Sequence, residues 1–121
     1  MRPLSVDRLT EAVKAAIDGG RVGIPSVVRW YMRTGPDAGP PAATARTMLA
    51  AAAKWLGGDP ATVATFGKAG AAETVLHASW PTGAGAVLTA ASGPGETASD
   101  LILLGSRGAI YFGRTPEGPE S

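Results

Sequence analysis

The chain has 121 residues, the usual size of one domain, and its 45% hydrophobic and 17% charged content excludes a disordered composition. Its 11 basic and 10 acidic residues are interspersed, for a net charge of +1, so no basic stripe gives nucleic acid an electrostatic footing. With no cysteine and no apolar run approaching a membrane span, disulfides, thiolate metal sites, a cysteine nucleophile and a transmembrane helix are excluded as well.

Ser5 is suited to cap a helix, with Asp7 in the first turn, where a carboxylate complements the helix dipole. No apolar segment precedes it, which predicts no signal peptide and a cytoplasmic protein. Leu9, Ala12, Val13, Ala16 and Ile17 recur at helical spacing, and Gly19-Gly20 supplies the stop. Beyond the Gly23-Ile24-Pro25 turn, Ser26 to Arg33 alternates strictly. Val28, Trp30 and Met32 share one face and Arg29, Tyr31 and Arg33 the other, the pattern of a half-buried strand. Gly35 to Pro41 reads as a Pro/Gly loop. A second helix is expected from Thr44 to Leu56, with Met48, Leu49, Ala52 and Leu56 as its apolar stripe and Gly57-Gly58 at its end.

After Pro60 the period changes to two. Strands are predicted at Thr62–Phe66, Glu73–Trp80, Ala86–Ala91, Leu101–Leu104 and Ala109–Phe112. Residues 81–85 and 105–108 are hairpin turns, and Ser92 to Ser99 is a Gly-rich loop. The polar tail, residues 115–121, is expected to be disordered, which leaves 1–114 as one domain. Strands joined by short turns pair antiparallel. The fold class is therefore α+β: a mostly antiparallel sheet of five to six strands, two helices on one face, and the other face open. Leu101 to Leu104 is apolar on both faces, which a sheet with one wet face does not favour, so the open face is expected to make a homodimer.

Three segments are familiar in this order. Residues 16–28 (Ala16-Ile17-Asp18-Gly19-Gly20-Arg21-Val22-Gly23-Ile24-Pro25 and onward) contain a "G-x-[IL]-G"-like turn before a strand. Lys54-Trp55-Leu56-Gly57-Gly58-Asp59-Pro60-Ala61-Thr62-Val63 follows a "R-W-L-x-G-x-P-x-x-V" pattern. Leu103-Leu104-Gly105-Ser106-Arg107-Gly108-Ala109-Ile110 fits "x-x-G-x-x-G-x-[LI]". Together they resemble the C-terminal domain of the glucose–fructose oxidoreductase / inositol dehydrogenase (Gfo/Idh/MocA) family over roughly residues 8–113. The resemblance implies a substrate and oligomerisation domain whose sheets associate.

The resemblance also marks what these residues do not contain. The family's Rossmann half carries a Gly-rich phosphate loop, a ribose-holding acid and the lysine of an "E-K-P" segment. None has a counterpart here, because Gly83, Gly85, Gly105 and Gly108 lie between strands. The family's "D-x-x-x-H-x-x-D" helix pattern falls, counting back from Trp55, on Thr44, Met48 and Ala51, none of which can exchange a proton near neutral pH. The chain is not expected to be a self-sufficient NAD(P)-dependent dehydrogenase, and no cofactor is expected.

Candidate site residues follow from chemistry and from the resemblance. His77, the one histidine, and Tyr31 are candidate acid/base groups; a surface or hydrogen-bonded histidine is the plainer reading. Arg29 and Arg33 flank Tyr31 and suit an anionic or polyhydroxylated small molecule, against a solvated or interface face as the alternative. Thr44 and Met48 would line the family's substrate pocket, although Met48 also fits the packing stripe. The three tryptophans read as core anchors. Glu96 and Asp100, beside the Gly-rich loop, do not make a calcium pattern, and one histidine without cysteine argues against zinc.

Three functions accommodate these features. One is a small-molecule-binding or accessory/oligomerisation subunit, alone or beside a Rossmann-bearing oxidoreductase. Another is a cofactor-independent isomerase, cyclase or lyase that reuses the family's pocket. The third is a fragment without a separate function.

Overall fold

The computed structural model describes residues 6–35, 39–67, 72–93 and 97–113. Ser5, Glu96 and the tail from Thr115 lie outside these residues. The elements are α1 (Val6–Asp18), β1 (Pro25–Thr34), α2 (Pro41–Leu56), β2 (Thr62–Phe66), β3 (Glu73–Ser79), β4 (Gly85–Ser92), β5 (Ala98–Gly105) and β6 (Gly108–Gly113). The expected class is correct: among the described residues, two helices and six strands form an α+β domain with an open, mostly antiparallel sheet.

The strand order is β2-β3-β4-β1-β5-β6. β1 therefore sits inside the sheet, parallel to β4 and antiparallel to β5, while every other pair is antiparallel. The short turns do make hairpins, as chain stiffness requires.

Several strands run one residue further than expected at each end, and three other boundaries differ for a physical reason. α2 starts at Pro41 because proline at the first helical position loses no hydrogen bond and already has a helical φ; reading Pro41 as loop was wrong. β3 stops at Ser79, since the Trp80 N–H turns onto the Ala84 carbonyl at 2.9 Å. β5 begins at Ala98, three residues before the first leucine, because its early residues pair with β1 from Arg33 onward.

Alternate residues of the sheet meet the helices. Val28, Trp30 and Met32 of β1, Leu76 and Ala78 of β3, Leu88 and Ala90 of β4, Leu101 and Leu103 of β5, and Ile110 of β6 are buried in one cluster with Leu9 and Val13 of α1 and Met48, Ala52 and Trp55 of α2. All three tryptophans anchor this layer, as expected. The Trp30 and Trp55 rings lie 5.3 Å apart, the Trp55 indole N–H donates to the Thr10 carbonyl at 3.3 Å, and the Trp80 N–H donates to the Gly58 carbonyl at 2.7 Å.

Two of the familiar segments touch. The β5–β6 turn is bonded to the α1–β1 loop: the Ser106 N–H donates to Ile24 O (3.0 Å), the Arg107 N–H to Val22 O (2.7 Å), and the Ile24 N–H to Ser106 Oγ (2.9 Å). Gly23, at φ +78°, has no room for a Cβ against Ser106 and Arg107, and Gly105 has none against Val22. The third segment is the end of α2, where Gly57 takes a left-handed φ of 93° and the Gly58 N–H closes on Ala53 O at 2.8 Å. These segments specify loop packing and a helix stop.

Candidate functional site

The sheet divides the sequence-derived candidates into two groups. Arg29, Tyr31, Arg33 and His77 all stand on the face away from the helices, as their alternation implied. Thr44 and Met48 are on α2, which covers the other face. Met48 is fully buried in the core and Thr44 is half-buried. The six residues therefore do not converge on one pocket. For Met48 the packing role prevails.

Cross-strand register orders the open face into rows. One row runs Ala64, His77, Val87, Arg29, Ile102, Tyr111 from β2 to β6; the next runs Phe66, Val75, Thr89, Tyr31, Asp100, Gly113. A third runs Thr62, Ser79, Gly85, Val27, Leu104, Ala109. With neighbouring strands about 4.8 Å apart, the backbones of His77 on β3 and Arg29 on β1 stand about 10 Å apart, with Val87 of β4 between them.

Two shallow depressions mark the face. The first, about 370 Å³, has Arg29, Tyr31, Thr89, Asp100 and Tyr111 around Val87 and Ile102. The Tyr111 hydroxyl donates to Asp100 Oδ1 at 2.6 Å, and that bond, with a smaller contribution from desolvation, raises the phenol above its ordinary pKa of 10.0. Arg29 makes no hydrogen bond or ion pair among the described residues. The second depression, about 420 Å³, is lined by Thr62, Ala64, His77, Ser79 and Val87, among others. There the Thr62 and Ser79 hydroxyls share a 2.5 Å hydrogen bond, and Phe66 meets the His77 ring edge-on, with centroids 5.1 Å apart. Among the described residues no group of three or more His, Cys, Asp or Glu side chains could hold a metal ion, and no helix is long and apolar enough to cross a membrane.

Sequence reasoning missed Asp100, Thr89 and Tyr111 as members of one face. Asp100 reads as loop if β5 starts at Leu101. Extending the alternation of Ile102 and Leu104 back by one step would have placed it on their face; its position opposite Tyr31 follows only from the β1–β5 register.

No protein-family model and no curated protein matches the chain. Solved structures do. A probable dehydrogenase from Thermotoga maritima superposes with a TM-score of 0.72 at 21% identity, over 93% of this chain and 40% of the other. A putative myo-inositol dehydrogenase from Sinorhizobium meliloti gives 0.70 at 21% identity, over 90% and 39%. The fold is that of the C-terminal domain of these oxidoreductases. A scyllo-inositol dehydrogenase from Lactobacillus casei, solved with NAD(H) and scyllo-inositol, agrees at 0.68 and 14% identity, over 93% and 41%. The chain thus spans about 40% of the length of the structures it matches. At these identities the likeness carries the fold and not the activity.

Proposed function

We propose that this domain is an accessory, self-associating subunit: two copies join through the open sheet face, and the chain has no dehydrogenase activity of its own. The observation that supports this reading is the composition of that face. Ile102, Val87 and Val27 are only half-buried there, and Leu104, Phe66 and Tyr111 are 41%, 53% and 58% exposed. Apolar and aromatic side chains on a six-stranded surface are a normal signature of an interface. Stacking two such faces at the sheet spacing of about 10 Å would cover them.

Measuring mass in solution tests the association. Calorimetric titration with NAD(H) and NADP(H) tests the second half: no binding is expected, because the strand–loop–helix passage from β1 to α2 carries no G-x-G-x-x-G sequence and opens its helix with Pro40-Pro41, which offer no N–H groups to a pyrophosphate. Micromolar affinity would contradict it.

A cofactor-independent enzyme is the second reading, favoured by the depression that brings His77 beside the Thr62–Ser79 hydroxyl pair. Under that reading, His77→Ala removes the proton-transfer group and lowers turnover about 10²–10⁴-fold. Unchanged turnover would take histidine out of the mechanism and leave Tyr31.

A further inference from the structure

Arg29 is an exposed cation on an interior strand, with no partner among the described residues and with Val87 and Ile102 as its cross-strand neighbours. If a second sheet covers this face, as proposed above, the guanidinium loses its water and needs an anion. The open face offers one close by. Asp100 lies opposite Tyr31 on β5, and only its Oδ1 is engaged, by the Tyr111 hydroxyl, among the described residues. Oδ2 keeps its acceptor capacity.

The register fixes how the two charges could serve each other. Arg29 pairs with Ile102 and Tyr31 with Asp100, so these four side chains form the corners of a rectangle on the open face. Arg29 and Asp100 occupy one diagonal, Tyr31 and Ile102 the other. In a face-to-face dimer the two-fold axis lies in the plane of the interface, and each residue faces the partner residue that mirrors it across that axis. An axis along the Tyr31–Ile102 diagonal sets Arg29 against the partner's Asp100, and Asp100 against the partner's Arg29.

We infer that Arg29 and Asp100 form two reciprocal salt bridges between two copies of this chain, with Tyr31 and Ile102 self-contacting on the axis between them. The pairing leaves neither charge uncompensated. Because the axis runs oblique to β1 and β5, the two sheets cross steeply, in the manner of orthogonal sheet packing. A small anion suits the site less well. It would satisfy Arg29 but bring a second negative charge toward the Asp100 carboxylate on the adjacent strand.

The inference rests on self-association, and charge reversal separates the two ideas. Arg29→Asp alone places carboxylates against carboxylates at both contacts; Asp100→Arg alone places guanidinium against guanidinium. Mixing the two variants restores opposite charges at both contacts. Sedimentation velocity of the full chain at micromolar concentration should show a dimer for the unaltered protein. Each variant should be a monomer, its association weakened about 100-fold or more. Their equimolar mixture should return to dimer mass, with the heterodimer resolved by native mass spectrometry. Both positions are exposed, and circular dichroism melts establish that each variant is folded; Arg29→Gln and Asp100→Asn provide a milder pair, each expected to weaken the dimer. Variants that still dimerise, or a mixture that stays monomeric, would overturn the pairing while leaving self-association intact. A monomeric unaltered protein would overturn both.

Discussion

The two faces of this sheet are built from the same six strands and solve opposite problems. Toward the helices, Val28, Leu88, Leu101 and Leu103 are fully buried, and Trp30 is nearly so. Away from them, the neighbouring residues of the same strands are Arg29, Val87, Ile102 and Leu104, none fully buried. The period of two writes both faces at once, so a strand such as β5 can be apolar throughout and still serve two surfaces. The face that is completed within the chain is almost wholly apolar, with Thr74 and Ser99 as its buried polar residues. The other face mixes apolar residues with Arg29, Asp100 and paired hydroxyls, as an interface between separately folded molecules does.

The largest effects should fall on the covered face. Leu101→Ala empties a fully buried site and should cost about 2–5 kcal/mol in denaturant unfolding. Leu104→Ala, three residues along and 41% exposed, should change the fold's own stability by about 0.5 kcal/mol, measured below the concentration at which copies associate. Equal losses at the two positions would erase the distinction between the faces.

Gly105→Ala probes the contact that ties the β5–β6 turn to the α1–β1 loop. A Cβ there collides with Val22 and the Ile24 carbonyl, so the turn must shift away from its backbone hydrogen bonds, at a cost of about 1–3 kcal/mol. A neutral substitution would mean that the loop yields freely and that the contact does not fix the turn.

The smallest effect lies on the open face and is read by pH. The Asp100 hydrogen bond holds Tyr111 above its ordinary pKa, so the neutral phenol is favoured in the folded chain. The stability it contributes is fully present below pH 10 and is lost as pH rises through the raised value. Ultraviolet titration should show a Tyr111 transition above pH 10 that falls back in Asp100→Asn. An unmoved transition would mean that the hydrogen bond does not persist in solution.

Much of this contrast is legible in the sequence, because alternation alone sorts Arg29, Tyr31 and His77 from Trp30, Leu76 and Ala78. The sheet order is not. β1 is joined to β4 and β5 by pairings such as Arg29 with Val87 and Ile102, and no local pattern records contacts at that separation. Asp100 is hidden because a Gly-rich stretch precedes it and the apolar run begins at Leu101. The familiar Gly and Trp segments were legible for the same reason that they are silent about chemistry. Gly23, Gly57 and Gly105 answer backbone and packing demands, and Trp55 and Trp80 hold helix ends in place, whatever the domain binds.

The difference between the faces reduces to whether the open one is covered in solution. Multi-angle light scattering of the purified chain, from one to one hundred micromolar, measures this directly. A mass twice that of one chain, falling to a single chain in Leu104→Asp, is the predicted result. A single-chain mass across the whole range, with no other protein bound, would contradict the account.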